Sequence, residues 1–277
     1  GLGVNYRDVE ASNGTTAEFV VLATGVGIGA ELTDRLSVGF TGAISTANMD
    51  GIFTGISAAT PNYNLRGTLG VTYDLDPCTT LGGFFKSEEK HTFEDFVRFP
   101  RLDTPFQDLS ISLPRIYGLG IANQSLMNGQ LLVGMDLSYL QWSETDLFGA
   151  IWTDQFAVQT GVQYTTKKGC NYRFGYVYAE NASRDVVAST IGPIDPQAGV
   201  DYIQALFPNI NEHRISGGLG LRDILPGVDV DLFAGGQFNT NHNYGNSNVD
   251  VASYWIGFGT TWRFGRGACC SRVPNQW

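Results

Sequence analysis

From Tyr254 to Phe264 two classes of residue alternate without a break. Tyr254, Ile256, Phe258, Thr260, Trp262 and Phe264 point one way, and Trp255, Gly257, Gly259, Thr261 and Arg263 point the other. A period of two is the mark of a β-strand, because successive side chains leave opposite faces of the pleat. The pattern recurs at Val20 to Glu31, Gln130 to Tyr139, Gln155 to Tyr164 and Tyr172 to Ala179. In each run one face is apolar, with aromatics toward its ends, and the other carries glycine, amides and charge. Glycine makes up 35 of the 277 residues, nearly twice the usual ~7%. Glycine weakens a strand, so its repeated use on one face predicts a crowded or hollow interior and not a face open to bulk water.

That reading selects among β architectures. No run of ~18 apolar residues occurs, which excludes a membrane-spanning helix. A transmembrane barrel hides its lipid face in alternation and leaves the mean hydropathy near zero, here −0.07. The net charge of −10 argues against a phosphate backbone, so nucleic acid is not a predicted partner. Twelve strands are predicted, at 1–9, 17–31, 36–47, 64–75, 80–93, 109–122, 130–142, 154–166, 171–180, 212–222, 229–240 and 250–264. Connections are tight at 32–35, 76–79, 167–170 and 223–228 and long at 48–63, 94–108 and 181–211. Tight turns therefore fall on one side and long loops on the other, as in an up-and-down outer-membrane barrel. The expected fold is all-β, an antiparallel transmembrane β-barrel over residues 1–264, followed by a tail at 265–277.

Several segments carry a family resemblance on top of this topology. Phe85-Lys86-Ser87-Glu88, the stretch from Leu113-Pro114 to Trp142-Ser143, Asp154 through Tyr178 with Tyr172-Arg173-Phe174-Gly175-Tyr176, and Phe207-Pro208 with Glu212 occur in one order and spacing. Together they resemble the FadL/TodX family of outer-membrane transporters for hydrophobic compounds. Members of that family have fourteen strands and an N-terminal hatch in the lumen. This chain aligns from about the third strand onward, which implies either that hatch and two strands are missing from it or that it is a shorter relative.

The candidate functional residues fall into three groups. The long loops are rich in apolar residues: Ile52, Phe53, Ile56, Phe96, Phe99, Phe148, Trp152, Leu206 and Phe207. Exposed apolar patches of such size mark binding surfaces; the alternative is that the loops pack on one another as a cap. The resemblance favours a landing groove for an apolar ligand. Glu31, Asp136, Arg173, Arg222, Asp229, Asp231 and Arg263 belong to the inner face, most of them near the turns, and buried charges must be paired or hydrated. They read as a lattice bracing the wall, or as a polar constriction. Cys78, Cys170, Cys269 and Cys270 all fall on the turn side; an even count in an oxidising compartment suggests two disulfides joining the tail to the turns, with free thiols as the alternative.

His91, His213 and His242 have no metal-ligand spacing and are expected at loops or rims. Gly25-Val26-Gly27-Ile28-Gly29 continues a strand and opens no helix, so it is not a nucleotide loop. No catalytic constellation, metal site or cofactor is expected. The resemblance implies passive uptake of hydrophobic small molecules, long-chain fatty acids or aromatic hydrocarbons, with outer-membrane lipid around the wall. It also places the loops outside the cell and the turns and tail in the periplasm. The alternative function is a structural or docking barrel whose apolar loops bind another membrane or periplasmic protein.

Overall fold

The computed structural model describes residues 2–10, 16–51, 62–97, 107–184, 201, 203–210, 212–245 and 247–262. Among the described residues fourteen strands are formed in chain order: β1 Leu2–Glu10, β2 Thr16–Glu31, β3 Leu36–Gly51, β4 Asn62–Asp76, β5 Thr79–Lys86, β6 Glu89–Val97, β7 Gln107–Leu113, β8 Arg115–Leu126, β9 Leu131–Gln141, β10 Gln155–Thr165, β11 Asn171–Ala179, β12 His213–Leu225, β13 Val228–Tyr244 and β14 Ser247–Trp262. Twelve of them make one antiparallel sheet in the order β1-β2-β3-β4-β5-β8-β9-β10-β11-β12-β13-β14, and β6 and β7 pair apart from it. Among the described residues β1 and β14 are the two edges of the wall and do not pair with each other.

The registers confirm the two faces. Directly opposed pairs such as Val38 with Val71, Leu119 with Leu137 and Leu232 with Phe258 keep apolar residues on one side through the whole wall. These side chains have no protein neighbour above them: Val26 is 79% exposed and Ile256 87%. Among the strands of the wall whose side chains are described, such a continuous exposed apolar belt is what lipid, and not water, would cover. At the loop end it is bordered by an outward row of rings, Phe85, Tyr117, Tyr139 and Phe156, with successive centroids 5.2, 6.3 and 4.9 Å apart. Aromatic rings at the edge of an apolar belt suit a membrane interface. Farther out the wall turns polar, and Asn241, Asn243, Asn248 and Asp250 hydrogen-bond to one another at 2.7–2.9 Å.

The inner face explains the glycines. A Cβ on Gly118 would overlap the ring of Phe84, one on Gly235 the indole of Trp255, and one on Gly257 the ring of Phe233. Each glycine sits directly across the ladder from the aromatic that covers it. Rings thus lie flat along the lumen wall where a neighbour without a side chain leaves room. We expect Gly257→Leu to lower barrel stability by about 1–3 kcal/mol through overpacking. The unfolding midpoint in heat-modifiable electrophoresis should fall, and Phe233→Ala in the same chain should restore it.

Two predicted strands are corrected. The expected strands at 80–93 and 109–122 each break, the first at Ser87-Glu88 and the second at Pro114. Their loop-side halves become β6 and β7, a hairpin outside the main sheet. The rule of long loops on one side also has an exception, because β13 runs on to Tyr244 and Gly245, at φ +55°, turns it tightly toward β14 on the loop side.

Candidate functional site

The hairpin is held against the wall by three lumen-facing residues of β4 spaced two apart. Asn62 donates to the Thr92 carbonyl at 2.8 Å, and Asn64 donates to the Lys90 carbonyl. Arg66 donates to the Ser87 carbonyl at 3.1 Å, the Pro114 carbonyl at 3.1 Å and Glu89 Oε2 at 3.0 Å. One guanidinium therefore clamps both crossings, where the chain leaves the wall and where it returns. Proline lacks the N–H that would continue the ladder, and Ser87 ends it instead, donating its N–H to Gly67 and accepting the Gly67 N–H on Oγ, both at 2.9 Å.

Glu89 is buried beside this clamp. Burial alone would push its carboxyl up, but the hydrogen bond from His91 (3.0 Å) and the Arg66 charge hold it far below the ordinary 4.5, at about 2. His91, expected at a loop or rim, is instead fully buried, its Nδ1 3.2 Å from Asn62 Oδ1. The correction has a physical cause: paired charges and amides on both sides replace the water that a buried imidazole would lose.

Above this polar layer lies one apolar core. Phe93 and Ile111 of the hairpin meet Val21, Ala47 and Met49 from the inner faces of β2 and β3. The loop after β9 completes it. Phe148 and Trp152 stack with centroids 4.1 Å apart and planes 4° from parallel, and Trp142 meets Trp152 edge-on at 4.6 Å. Phe207 reaches Phe148 at 5.9 Å. Gln204 fixes the helical residues 203–206 to this loop, donating to the carbonyls of Ile151 (3.0 Å) and Arg184 (2.9 Å). Asp154 fixes the base of the loop, accepting from Ser143 N–H at 2.8 Å and the Tyr139 hydroxyl at 2.5 Å.

The predicted residues fall as follows. Phe148, Trp152, Leu206 and Phe207 come together, buried in that core. Phe96 lies on β6 with only its backbone described, and Ile52, Phe53, Ile56 and Phe99 lie outside the described residues. Of the charged group, Arg173, Arg222, Asp229 and Asp231 meet near the turns: Arg173 to Asp231 is 2.6 Å, and Arg222 is 3.1 Å from Asp231 and 3.5 Å from Asp229. Gln163 accepts from Arg173 at 2.7 Å. Asp136 lies mid-wall over Gly120, Glu31 is exposed at the end of β2, and Arg263 is outside the described residues.

Cys78 is exposed and Cys170 half-buried, and both thiols are free. No disulfide occurs among the described residues, so the expected staple is not supported; Cys269 and Cys270, which it would use, are outside them. Sequence reasoning missed Asn62, Asn64, Arg66 and Glu89. The signal for the first three was present as polar side chains spaced two apart on the inner face of one strand.

A wall with an apolar outside, a glycine-lined inside and a polar-clamped hairpin at one end defines a transmembrane β-barrel of the outer-membrane type. Its fold is that of the FadL/TodX hydrocarbon channels. The chain is similar to a deltaS2S3 mutant of TodX, a monoaromatic hydrocarbon channel (TM-score 0.67, 14% identity, 95% of this chain and 78% of that one). It is also similar to the Pseudomonas putida toluene transporter TodX (0.62, 13%, 94% and 77%) and to a Pseudomonas aeruginosa FadL homologue (0.58, 14%, 94% and 73%). No protein-family profile and no curated protein matches the sequence.

Proposed function

We propose that this protein is an outer-membrane channel for passive uptake of hydrophobic small molecules, of the size of fatty acids or aromatic hydrocarbons. The single observation that carries this reading is the position of the apolar core, which lies within the loop end of the barrel between the β6–β7 hairpin and the loop after β9. Its rings are buried against one another, so the core braces an apolar loop end that a solute must pass before it reaches the polar wall. The likeness in fold to channels described for toluene and other monoaromatic hydrocarbons supports it. In this reading residues 1–264 form the wall, surrounded by lipid, the loops face outward, and the turns and residues 265–277 face the periplasm. Ile52, Phe53, Ile56, Phe96 and Phe99 supply the landing surface, and Phe148, Trp152, Leu206 and Phe207, buried in the core, brace the loop end that carries it. The protein needs no cofactor and catalyses no reaction.

Reconstituted liposomes test this. The wild-type barrel should speed uptake of a fatty acid or toluene over empty liposomes, and the combined change of Phe53, Phe96 and Phe99 to Ser should abolish the gain while leaving heat-modifiable migration intact. Uptake that survives the triple change removes the landing surface from the proposal. A folded wild-type barrel that carries neither ligand favours the docking role.

A further inference from the structure

Beyond the loop-side end of β12, strands β13 and β14 run on as a two-stranded ribbon. β12 pairs with β13 as far as Gln237, whereas β13 and β14 stay paired from Thr240 with Val251 to Tyr244 with Ser247. The inner face of the ribbon closes on the cap, where the buried Tyr244 hydroxyl lies 2.6 Å from Ser183 Oγ. Its outer face carries two directly opposed polar pairs, Asn241 with Asp250 and Asn243 with Asn248, all four exposed. Asparagine and aspartate are poor strand formers, so four of them together weaken the ribbon that presents them.

These side chains are also held in place by one another. Asn241 Nδ2 donates to Asn248 Oδ1 at 2.7 Å and to Asp250 Oδ1 at 2.9 Å, and Asn248 Nδ2 donates to Asn243 Oδ1 at 2.8 Å. Among the described residues that leaves the Asn241 carbonyl oxygen, the second Asp250 oxygen and the Asn243 amide nitrogen without a partner: two acceptors beside a donor, already oriented. Directly below them on the outward side of β14 come Tyr254, Ile256 and Phe258, exposed by 84%, 87% and 76% and part of the lipid-facing belt. Asp250 lies four residues beyond Tyr254, about 13 Å along the strand and about 10 Å along the membrane normal once strand tilt is allowed for. The polar array therefore stands at headgroup height, just past the acyl chains.

We propose that this array on the outside of the wall is a binding site for the sugar headgroup of a membrane glycolipid, whose acyl chains lie along Tyr254, Ile256 and Phe258. Chemistry selects the headgroup. A sugar hydroxyl both donates and accepts, so neighbouring hydroxyls match acceptors that stand beside a donor. The four residues include no cation, and their one carboxylate repels a phosphate, which disfavours an anionic headgroup. Two unpartnered oxygens fall short of the about six to eight that a calcium ion takes. Continuity selects a lipid over a free sugar, because the strand that presents the array also presents the apolar column beneath it. The inference rests on the loop end facing outward, as proposed above, and is independent of what the channel carries.

Native mass spectrometry tests this on the barrel released from phosphatidylcholine vesicles that hold equal small fractions of digalactosyldiacylglycerol and phosphatidylglycerol. The galactolipid should be retained at least about tenfold over phosphatidylglycerol, the gain expected from two hydrogen bonds. Asn241→Val combined with Asn248→Val removes all three bonds within the array and raises strand propensity. That double variant should keep heat-modifiable migration and wild-type uptake, and retain the two lipids equally. Equal retention by the wild type, or a galactolipid preference that survives the double change, overturns the site. Preference for phosphatidylglycerol also overturns it, in favour of an anionic lipid. Displacement of the galactolipid by free galactose as readily as by excess galactolipid overturns the lipid source and leaves a sugar site open to solution. The uptake assay above is read separately, so failure of this site and failure of the channel reading are told apart.

Discussion

Replacing Arg66 with leucine is expected to release the β6–β7 hairpin from the barrel. The change removes the hydrogen bonds that hold the chain at Ser87 and at Pro114. It also leaves Glu89 buried without its guanidinium, and breaking a buried pair from one side is unfavourable by about 3–5 kcal/mol. A two-stranded hairpin is marginal by itself, so the loss exceeds what its other contacts can offset. Ile111, 1% exposed in the native barrel, reports the outcome: a cysteine placed there should resist maleimide in the wild-type background and react rapidly beside Arg66→Leu. Conductance across planar bilayers should rise in parallel. Equal labelling and equal conductance in both backgrounds would show that the clamp does not hold the hairpin.

The same clamp predicts a pH response with a definite sign. The Glu89 carboxyl is held at about 2 against an ordinary 4.5, a depressed value. Its contribution is therefore complete above about pH 4.5 and is lost as pH falls toward 2, amounting to about 3 kcal/mol by linkage. Wild-type conductance should stay constant from neutral pH to about 5 and rise at about pH 3. Arg66→Leu should already be open at neutral pH.

Replacing Trp152 with alanine should open the cap and spare the wall. Trp152 stacks on Phe148, meets Trp142 edge-on and is almost wholly buried. Deleting a large core aromatic is unfavourable by about 3–5 kcal/mol. None of its ring partners belongs to a wall strand, so that loss falls on the loop after β9 and on residues 203–206. Hydrogen exchange read by mass spectrometry should accelerate over residues 142–154 and 203–210 and stay unchanged over β12 to β14. Uptake should fall, since Trp152 braces the loop end that carries the proposed landing surface. Uniform acceleration over wall and cap together would show that the two are one cooperative unit.

The wall was legible because its information is local. The alternation from Tyr254 onward, the glycines confined to one face of each strand and the turns at 32–35 and 223–228 each follow from neighbours within a few residues. The hairpin was not legible at the level of strand assignment. Residues 80–93 read as one strand through Ser87-Glu88, because β5 and β6 are both strands and only their partners differ. Pro114 marks one crossing, yet a proline also suits a bulge or a strand end, so it does not say that both chains fold inward. The site divides in the same way. Arg222, Asp229 and Asp231 were readable together because the β12–β13 hairpin brings them within nine positions of each other, whereas Arg173 reaches Asp231 across 58 positions and Arg66 reaches Pro114 across 48.

By itself, then, the amino-acid sequence determined which side of each strand meets lipid and which meets the lumen, because that choice is made residue by residue by the pleat. Only the tertiary structure decided which lumen groups meet. It alone placed a hairpin inside the barrel on Asn62, Asn64 and Arg66. Those outcomes depend on strands far apart in sequence meeting across the lumen, and a pattern with a period of two carries no record of that distance.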